Sequence, residues 1–206
     1  VVYYDAPAKP ASVSTTKAYY KRGEPIQVNW TGIDSKALAR VEYRIAARND
    51  ATGEEKSVLY DFSSARSLGQ TASGTAVAIP GSNTWSDNCW KISLRGADTT
   101  GLTGAAKACV CHVDGTAPVV GAVSITPSSY TVSQTPSLAW SSVSDAHLKS
   151  IQYQVNGGGF EEIGTGTSGR VQLPADDFPE TGVYTVQVRA LDMAGNVSAV
   201  KSVSYY

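Results

Sequence analysis

The sequence contains no long hydrophobic run, and it has few charges and only two histidines. No run approaches the roughly 18 apolar residues of a membrane-spanning helix, so we expect no membrane insertion. Charged residues make up 17% and the net charge is -1, which gives no electrostatic basis for binding nucleic acid. No basic and apolar leader opens the chain, so we expect any export signal to lie upstream or to have been removed. These absences exclude nucleic acid and the membrane interior as predicted partners.

The sequence does contain an internal repeat. Five residues of the first half recur 110 positions later as residues of the same kind: Trp30, Leu38, Val41, Tyr43 and Ile45 match Trp140, Leu148, Ile151, Tyr153 and Val155. Farther along the chain the offset is 94, and residues 90–95 match residues 184–189. The change of offset predicts about 16 additional residues in the first copy, between residues 46 and 76. We therefore predict two tandem modules, residues 1–114 and 115–206.

A Tyr-Tyr pair stands near both ends of the chain, at Tyr3-Tyr4 and at Tyr205-Tyr206. The first pair runs into an Asp-Ala-Pro sequence, which is close to the Asp-Gly-Thr-Ala-Pro sequence of residues 114–118 between the modules. We expect from this recurrence that the chain comes from a longer tandem array.

Apolar residues alternate with polar ones along residues 41–45, 90–95 and 184–189. This period of two places one face of a strand on a core and the other in water. Turn-forming clusters separate the segments, at residues 23–25, 49–53, 156–159 and 194–196. Each module has about seven such strands, the pattern of an immunoglobulin-like sandwich. The sequence therefore predicts an all-β fold of two antiparallel β-sandwich domains.

Several motifs carry a family resemblance. A Trp on the second strand, a Tyr thirteen residues later, and a Leu173-Pro174 pair leading into residues 184–190 resemble fibronectin type III modules. Residues 153–160 and 188–196, with the 114–118 linker, more closely resemble the tandem immunoglobulin-like repeats of bacterial surface and secreted proteins. The resemblance implies a sandwich fold and an exported, extracellular protein.

Matching aromatic residues are the predicted core of the two modules: Trp30, Tyr43 and Trp90 in the first, and Trp140, Tyr153 and Tyr184 in the second. The pair Trp90 and Tyr184 is a departure from the resemblance. Tyr184 can form the tyrosine-corner hydrogen bond of such sandwiches, whereas the first module must close this corner in another way.

All three cysteines, Cys89, Cys109 and Cys111, fall in the first module, on the two strands that flank the turn at Asp98. A type I turn with a left-handed glycine at Gly101 would place Cys89 opposite Cys111, so we predict this disulfide. A bulge in the ladder would instead favour a Cys89–Cys109 bond. In either case one thiol remains.

Two metal sites are the alternative interpretations of these residues. Cys109-Val-Cys111-His112 is compact enough for zinc, but alternation sends His112 to the opposite face from both cysteines. Calcium at the module junction would use the loop carboxylates Asp114, Asp145 and Asp192, which the sequence does not show gathered. We therefore predict no metal ligand and no cofactor.

Catalysis is not expected from these residues. The two histidines lie on different modules, and there is no Gly-x-Ser-x-Gly elbow to support a nucleophile. His147 matches Ala37 of the other copy, so the fold does not require it. The acid pairs Glu161-Glu162 and Asp176-Asp177 lie at turn edges, where solvated charges are ordinary. The glycine runs lack the lysine of a phosphate-binding loop.

Three arginines of one parity, Arg40, Arg44 and Arg48, form a basic stripe on the solvent face of the third strand. They are the candidate partner-binding residues, together with the adjacent insertion. The alternative interpretation is that they form charge pairs with neighbouring strands. The first module carries 13 basic and 11 acidic residues and the second carries 4 and 7, so their net charges are +2 and -3.

These observations predict a non-catalytic pair of extracellular modules that serves as a spacer or adhesion segment of a larger bacterial surface or secreted protein. Its expected partners are neighbouring modules and a host or cell-wall protein or glycan. The alternative is a carbohydrate-binding or accessory module of a secreted glycoside hydrolase. A carbohydrate-binding module would present exposed aromatic rings, whereas we expect the four tryptophans to be buried.

Overall fold

The computed structural model describes residues 6–33, 37–129 and 135–206. The Tyr3-Tyr4 pair lies outside the described residues. The chain divides into two compact units, Val1–Gly115 and Thr116–Tyr206. In the described part of the chain, no helix is long and apolar enough to cross a membrane.

In its described residues the first unit has eight strands: β1 (Ser12–Thr15), β2 (Tyr19–Lys21), β3 (Gln27–Thr31), β4 (Leu38–Arg48), β5 (Glu55–Tyr60), β6 (Gly74–Ala78), β7 (Asn88–Asp98) and β8 (Lys107–Asp114). One sheet has the order β1-β3-β6 and the other the order β2-β8-β7-β4-β5. Short 3₁₀ turns lie at Phe62–Ser64 and Ser82–Thr84.

The second unit has seven strands in its described residues: β9 (Ala122–Thr126), β10 (Ser137–Ser141), β11 (Leu148–Val155), β12 (Glu161–Gly164), β13 (Gly169–Gln172), β14 (Tyr184–Asp192) and β15 (Lys201–Tyr205). They form the sheets β13-β10-β9 and β12-β11-β14-β15. The predicted all-β fold of two sandwiches is confirmed.

Each unit buries one hydrophobic core between its two sheets, as the alternating sequence dictates. In β14 the buried residues are every second one, beginning with Tyr184. The aromatic residues of the predicted core all lie in these clusters: Trp30, Tyr43 and Trp90 in the first unit, and Trp140, Tyr153 and Tyr184 in the second.

The second and last strands of the first unit pair in parallel. β2 lies beside β8 with Tyr19 opposite His112, and the N–H of His112 donates to the carbonyl of Ala18 at 2.8 Å. The corresponding bond is present in the second unit, where the N–H of Tyr206 donates to the carbonyl of Ser128 at 3.3 Å. In each unit, a hydrogen bond therefore connects the region of the last strand to the segment that follows the first strand.

The additional residues of the first unit lie along the edge of β4. β5 pairs with the second half of β4, from Ile45 to Arg48. After the 3₁₀ turn the chain returns to the first half, where the N–H of Val41 donates to Gly69 at 2.7 Å and that of Leu68 donates back to Val41 at 2.9 Å. The insertion thus covers backbone groups that an edge strand would expose.

Candidate functional site

The register between β7 and β8 decides where the cysteines lie. Next to the turn Ala97 is opposite Thr103, as the sequence predicts, but farther from the turn Leu94 is opposite Lys107. The second strand therefore contains one residue more than the first between these two pairs. Such a one-residue bulge moves every later side chain to the other face of the sheet.

The predicted Cys89–Cys111 disulfide is wrong for this reason. Cys111 is opposite Trp90 and lies in the core, whereas Cys89 is opposite His112 on the other face. Cys109 is opposite Ile92 and packs against the core. All three thiols are free. Burial raises the pKa of Cys109 to about 11 and also raises that of Cys111, so both are protonated at neutral pH.

His112, and not a second cysteine, lies opposite Cys89, and it contacts an acid of another strand pair. The Nε2 atom of His112 lies 3.2 Å from Oδ1 of Asp50, which belongs to the turn between β4 and β5. Burial raises the pKa of the Cys89 thiol, and the charge of Asp50 and a hydrogen bond to it add to the effect. Cys89 and His112 are 6% and 13% exposed, respectively, while Asp50 is 62% exposed. The Asp50 carboxylate therefore contacts the imidazole of His112.

The arginine stripe is engaged by acids of the same unit. Arg44 donates to both carboxylate oxygens of Glu55, at 3.0 and 2.7 Å, and to Asp61 at 3.1 Å. Hydrogen bonds from Arg44 and Lys91 lower the pKa of Glu55 to about 2. The insertion supplies both acids, so it neutralises Arg44.

Glu42 is the most buried charge of this surface, with 2% of its side chain exposed. It accepts a hydrogen bond from Arg40 at 2.9 Å and one from Arg95 of β7 at 2.8 Å. Two guanidinium groups therefore compensate the carboxylate that the strand buries. Arg48 differs from the other arginines, because its buried Nε has no hydrogen-bond partner.

In both units, an arginine on the outer face of the larger sheet bonds a side chain of the neighbouring strand and lies over an aromatic ring. In the first, Arg95 bonds Glu42 and its guanidinium lies 4.1 Å from the centre of the Phe62 ring. In the second, Arg189 bonds Gln152 at 2.8 Å and lies 3.7 Å from the centre of the Phe160 ring. The arginines and their bonding partners are equivalent in the repeat, while the two aromatic rings come from different connections.

An open groove of about 390 Å³ lies at one end of the second unit. Its walls include Tyr153, Glu161, Asp176 and Asp177, so its lining is acidic. The Tyr153 hydroxyl donates to Asp177 at 2.7 Å. Burial is the main cause that raises the pKa of Tyr153, and this hydrogen bond is the second. Three of the four acids expected at turn edges, Glu161, Asp176 and Asp177, thus line one groove.

The loop aspartates have structural partners inside their own units. Asp98 accepts bonds through Oδ1 from the backbone N–H groups of Thr100 and Leu102 at 2.9 and 2.8 Å. Asp192 accepts from the backbone and the side chain of Asn196, both at 2.7 Å. Each aspartate closes a turn, which is the common role of this residue type. The absence of a metal ligand among Asp114, Asp145 and Asp192 stays a prediction.

The four tryptophans are buried, with exposures of 0% for Trp30, 3% for Trp85, 6% for Trp90 and 5% for Trp140. They serve packing, as the repeat alignment indicated, and do not form an exposed platform for sugar rings. Sequence reasoning missed Glu42 and Asp50. Glu42 shares its parity with the arginine stripe, a signal for ion pairing, whereas nothing in the turn at 49–53 marked Asp50 as a neighbour of Cys89.

Comparison with solved structures finds modules of low sequence identity. The chain is similar to the fibronectin(III)-like modules of CbhA from Clostridium thermocellum, with 15% identity and a TM-score of 0.46 over 95% of this chain and 93% of that one. It is similar to the FN1-FN3 domains of chicken CNTN1, with 13% identity and a TM-score of 0.48 over 97% of this chain and 65% of that one.

A third similarity is to a 1.5-MDa bacterial ice-binding adhesin, with 13% identity and a TM-score of 0.40 over 96% of this chain and 65% of that one. No protein-family model matches the sequence, and comparison with curated proteins gives no match either. The fold itself follows from the strand order and register described above.

Proposed function

We propose that this chain is a non-catalytic, load-carrying spacer in a larger exported protein of the bacterial surface or medium. The observation that supports the proposal most directly is the parallel pairing of β2 with β8. Tension applied through the two ends of the unit pulls the parallel strands β2 and β8 past each other, so the hydrogen bonds between them bear the force together. Antiparallel strands joined by a turn instead open one bond at a time.

The second unit supports the same proposal. The bond from Tyr206 to Ser128 corresponds to the bond from His112 to Ala18. Both copies therefore have a hydrogen bond between the region of the last strand and the segment that follows the first strand. Side-chain hydrogen bonds also connect neighbouring strands on the outer faces, between Arg95 and Glu42 in the first unit and between Arg189 and Gln152 in the second. These features resist separation of strands, which a spacer under tension requires.

Optical-tweezers measurements in two geometries test the proposal. Pulling through the two termini should give an unfolding force for the first unit well above the force needed when the handles are at the amino terminus and at the exposed turn of residues 99–101. That turn lies at the end of β8 where the strand begins, so the second geometry peels β2 from the parallel pair. Equal forces in the two geometries would refute the mechanical role.

Adhesion to a host or cell-wall protein or glycan is compatible with a spacer and is tested separately. Tryptophan fluorescence is a poor reporter here, because the indoles are buried, so binding is better measured on arrays of glycans and cell-wall fragments. Retention of a glycan by the isolated chain would favour the accessory carbohydrate-binding function over a purely mechanical one.

A further inference from the structure

Two thiols of the first unit lie on β8, the strand that pairs in parallel with β2. Cys111, with 1% of its side chain exposed, belongs to the core, and Cys109 packs against that core. We propose that these two thiols are a concealed site for modification by small disulfides, which opens when residues 11–21 leave β8. Tension is the expected trigger, and this part rests on the mechanical function proposed above.

The stretch of β8 that holds both thiols lies between two attachment points of residues 11–21. Before the thiols, the ammonium group of Lys107 donates to the carbonyl of Ala11, which precedes β1. After them, the N–H of His112 donates to the carbonyl of Ala18, which precedes β2, at 2.8 Å. The neighbours of β8 in its sheet are β2 and β7. Departure of residues 11–21 therefore turns β8 into an edge strand, with both thiols at the rim of the core.

Residues 11–21 can leave while most of the core stays in place. Of their side chains, Tyr20 is buried in the core and Val13 packs against it. Without this segment the larger sheet keeps the pairs β7–β8 and β4–β7, and the smaller sheet keeps β3–β6. Local opening of a segment with few buried apolar contacts costs less free energy than global unfolding. We therefore expect the thiols to become accessible before the unit unfolds.

Thiol–disulfide exchange needs no oxidant other than the small disulfide itself. The exposed thiol of Cys111 gives its proton to the buffer, and the thiolate attacks one sulfur of the disulfide. A bond forms between Cys111 and that sulfur, the original S–S bond breaks, and the other half leaves as a thiolate. In the closed unit, burial raises the pKa of both Cys109 and Cys111 and also excludes the reagent, which keeps the exchange slow.

A modified Cys111 prevents the segment from returning. Tyr20 is 1% exposed and lies opposite Val113, two residues beyond Cys111 along β8. A close-packed core has no room for an added group at this place. The first unit therefore stays open until a reducing thiol removes the group, even after the tension has ended.

Labelling of the whole chain in urea tests the site without applied force. Cys89→Ser leaves Cys109 and Cys111 as the thiols of the chain, and dithiobis(nitrobenzoate) is the small disulfide, because each exchange releases a coloured thiolate. Below the unfolding transition we expect labelling at least about tenfold slower than in the unfolded chain. Its urea dependence should be weaker than that of global unfolding, because less surface is exposed. Equal urea dependences would overturn the proposal.

Tyr20→Phe provides a variant that loosens the segment without adding or removing charge. The Tyr20 hydroxyl donates to the carbonyl of Gln27 and accepts from the N–H of Lys17, both at 3.2 Å. Loss of these bonds weakens the closed state, so the variant should be labelled faster. Tyr206→Phe, at an exposed tyrosine of the second unit, is the matched control. Equal labelling rates in the two variants would show that residues 11–21 do not cover the thiols.

Magnetic tweezers test the trigger separately. With handles at the two chain ends and dithiobis(nitrobenzoate) present, tension should open the first unit, and labelling should then block its refolding until a reductant is added. The double variant Cys109→Ser, Cys111→Ser should refold in every cycle, and a block in this variant would overturn the proposal. Labelling in urea as expected, without any effect of tension, would support the concealed thiols and refute the mechanical function.

Discussion

The indole N–H of Trp90 donates a hydrogen bond to the backbone carbonyl of Ser86 at 3.1 Å. In the second unit the equivalent Tyr184 donates through its hydroxyl to Glu180 at 2.7 Å and accepts from the N–H of the same residue at 3.1 Å. The bond spans four residues in both cases. An indole therefore closes in the first unit the corner that a phenol closes in the second.

Loss of the corner hydroxyl should destabilise the second unit. Tyr184→Phe keeps the ring but leaves the carbonyl and N–H of Glu180 without this partner, which costs about 1 to 2 kcal/mol of unfolding free energy. Urea denaturation of the variant measures the change. Tyr206→Phe, at an exposed tyrosine, is the control and should leave stability unchanged. An equal stability of Tyr184→Phe and the native chain would mean that the corner bond is dispensable.

Removal of the buried charge at Glu42 should destabilise the first unit. Glu42→Gln keeps the shape but exchanges two charge-assisted bonds for weaker ones, and we expect a loss of about 2 kcal/mol in urea unfolding. The equivalent residue of the second unit is Gln152, which faces one arginine only. Gln152→Glu is the matched reverse substitution and should be close to neutral. A neutral Glu42→Gln would show that the arginines do not depend on the charge.

The ion pairs of Glu55 predict an acid-sensitive first unit. Its pKa is lowered from 4.5 to about 2 in the folded state, so its contribution to stability is complete above about pH 4.5 and is lost as the pH falls toward 2. The urea midpoint of the first unit should fall across this interval. Glu55→Gln should flatten the decline, although Asp61, whose pKa is also lowered, will retain part of it. An identical pH profile in the variant would contradict the assignment.

Glycines opposite the core tryptophans leave room for the indole rings. Gly169 is paired with Trp140, and a Cβ atom on it would lie 2.3 Å from Cζ2 of that ring. Gly169→Ala should therefore cost about 1 to 3 kcal/mol through overpacking. Gly159→Ala is the control, because a Cβ there meets nothing within 4 Å. Thermal unfolding of both variants measures the difference, and equal melting temperatures would refute the packing argument.

The free thiols predict a simple mass experiment. Alkylation of the denatured, unreduced chain should add three adducts, and prior reduction should not change that number. In the native chain Cys109 and Cys111 should react slowly below pH 9, because burial keeps them protonated. Only one adduct without reduction, and three after it, would restore the predicted disulfide.

Much of the fold could be predicted because its signals are local. Alternation in segments such as 184–189 marks strands, and the matching of Trp30 with Trp140 and Tyr43 with Tyr153 marks equivalent core positions. The ion-paired role of the arginine stripe was one of two interpretations left open. The acids that decide it, Glu55 and Asp61, come from the insertion, where the match between the two copies is interrupted.

The sequence by itself determined the strands, the duplicated module and the aromatic cores, because a period of two and a repeated set of large apolar residues act within each segment. Only the tertiary structure decided which residues meet across strands. A single additional residue between Thr103 and Lys107 shifts the ladder by one position. Since side chains alternate between faces, this shift separates Cys89 from Cys111 and places it opposite His112 instead.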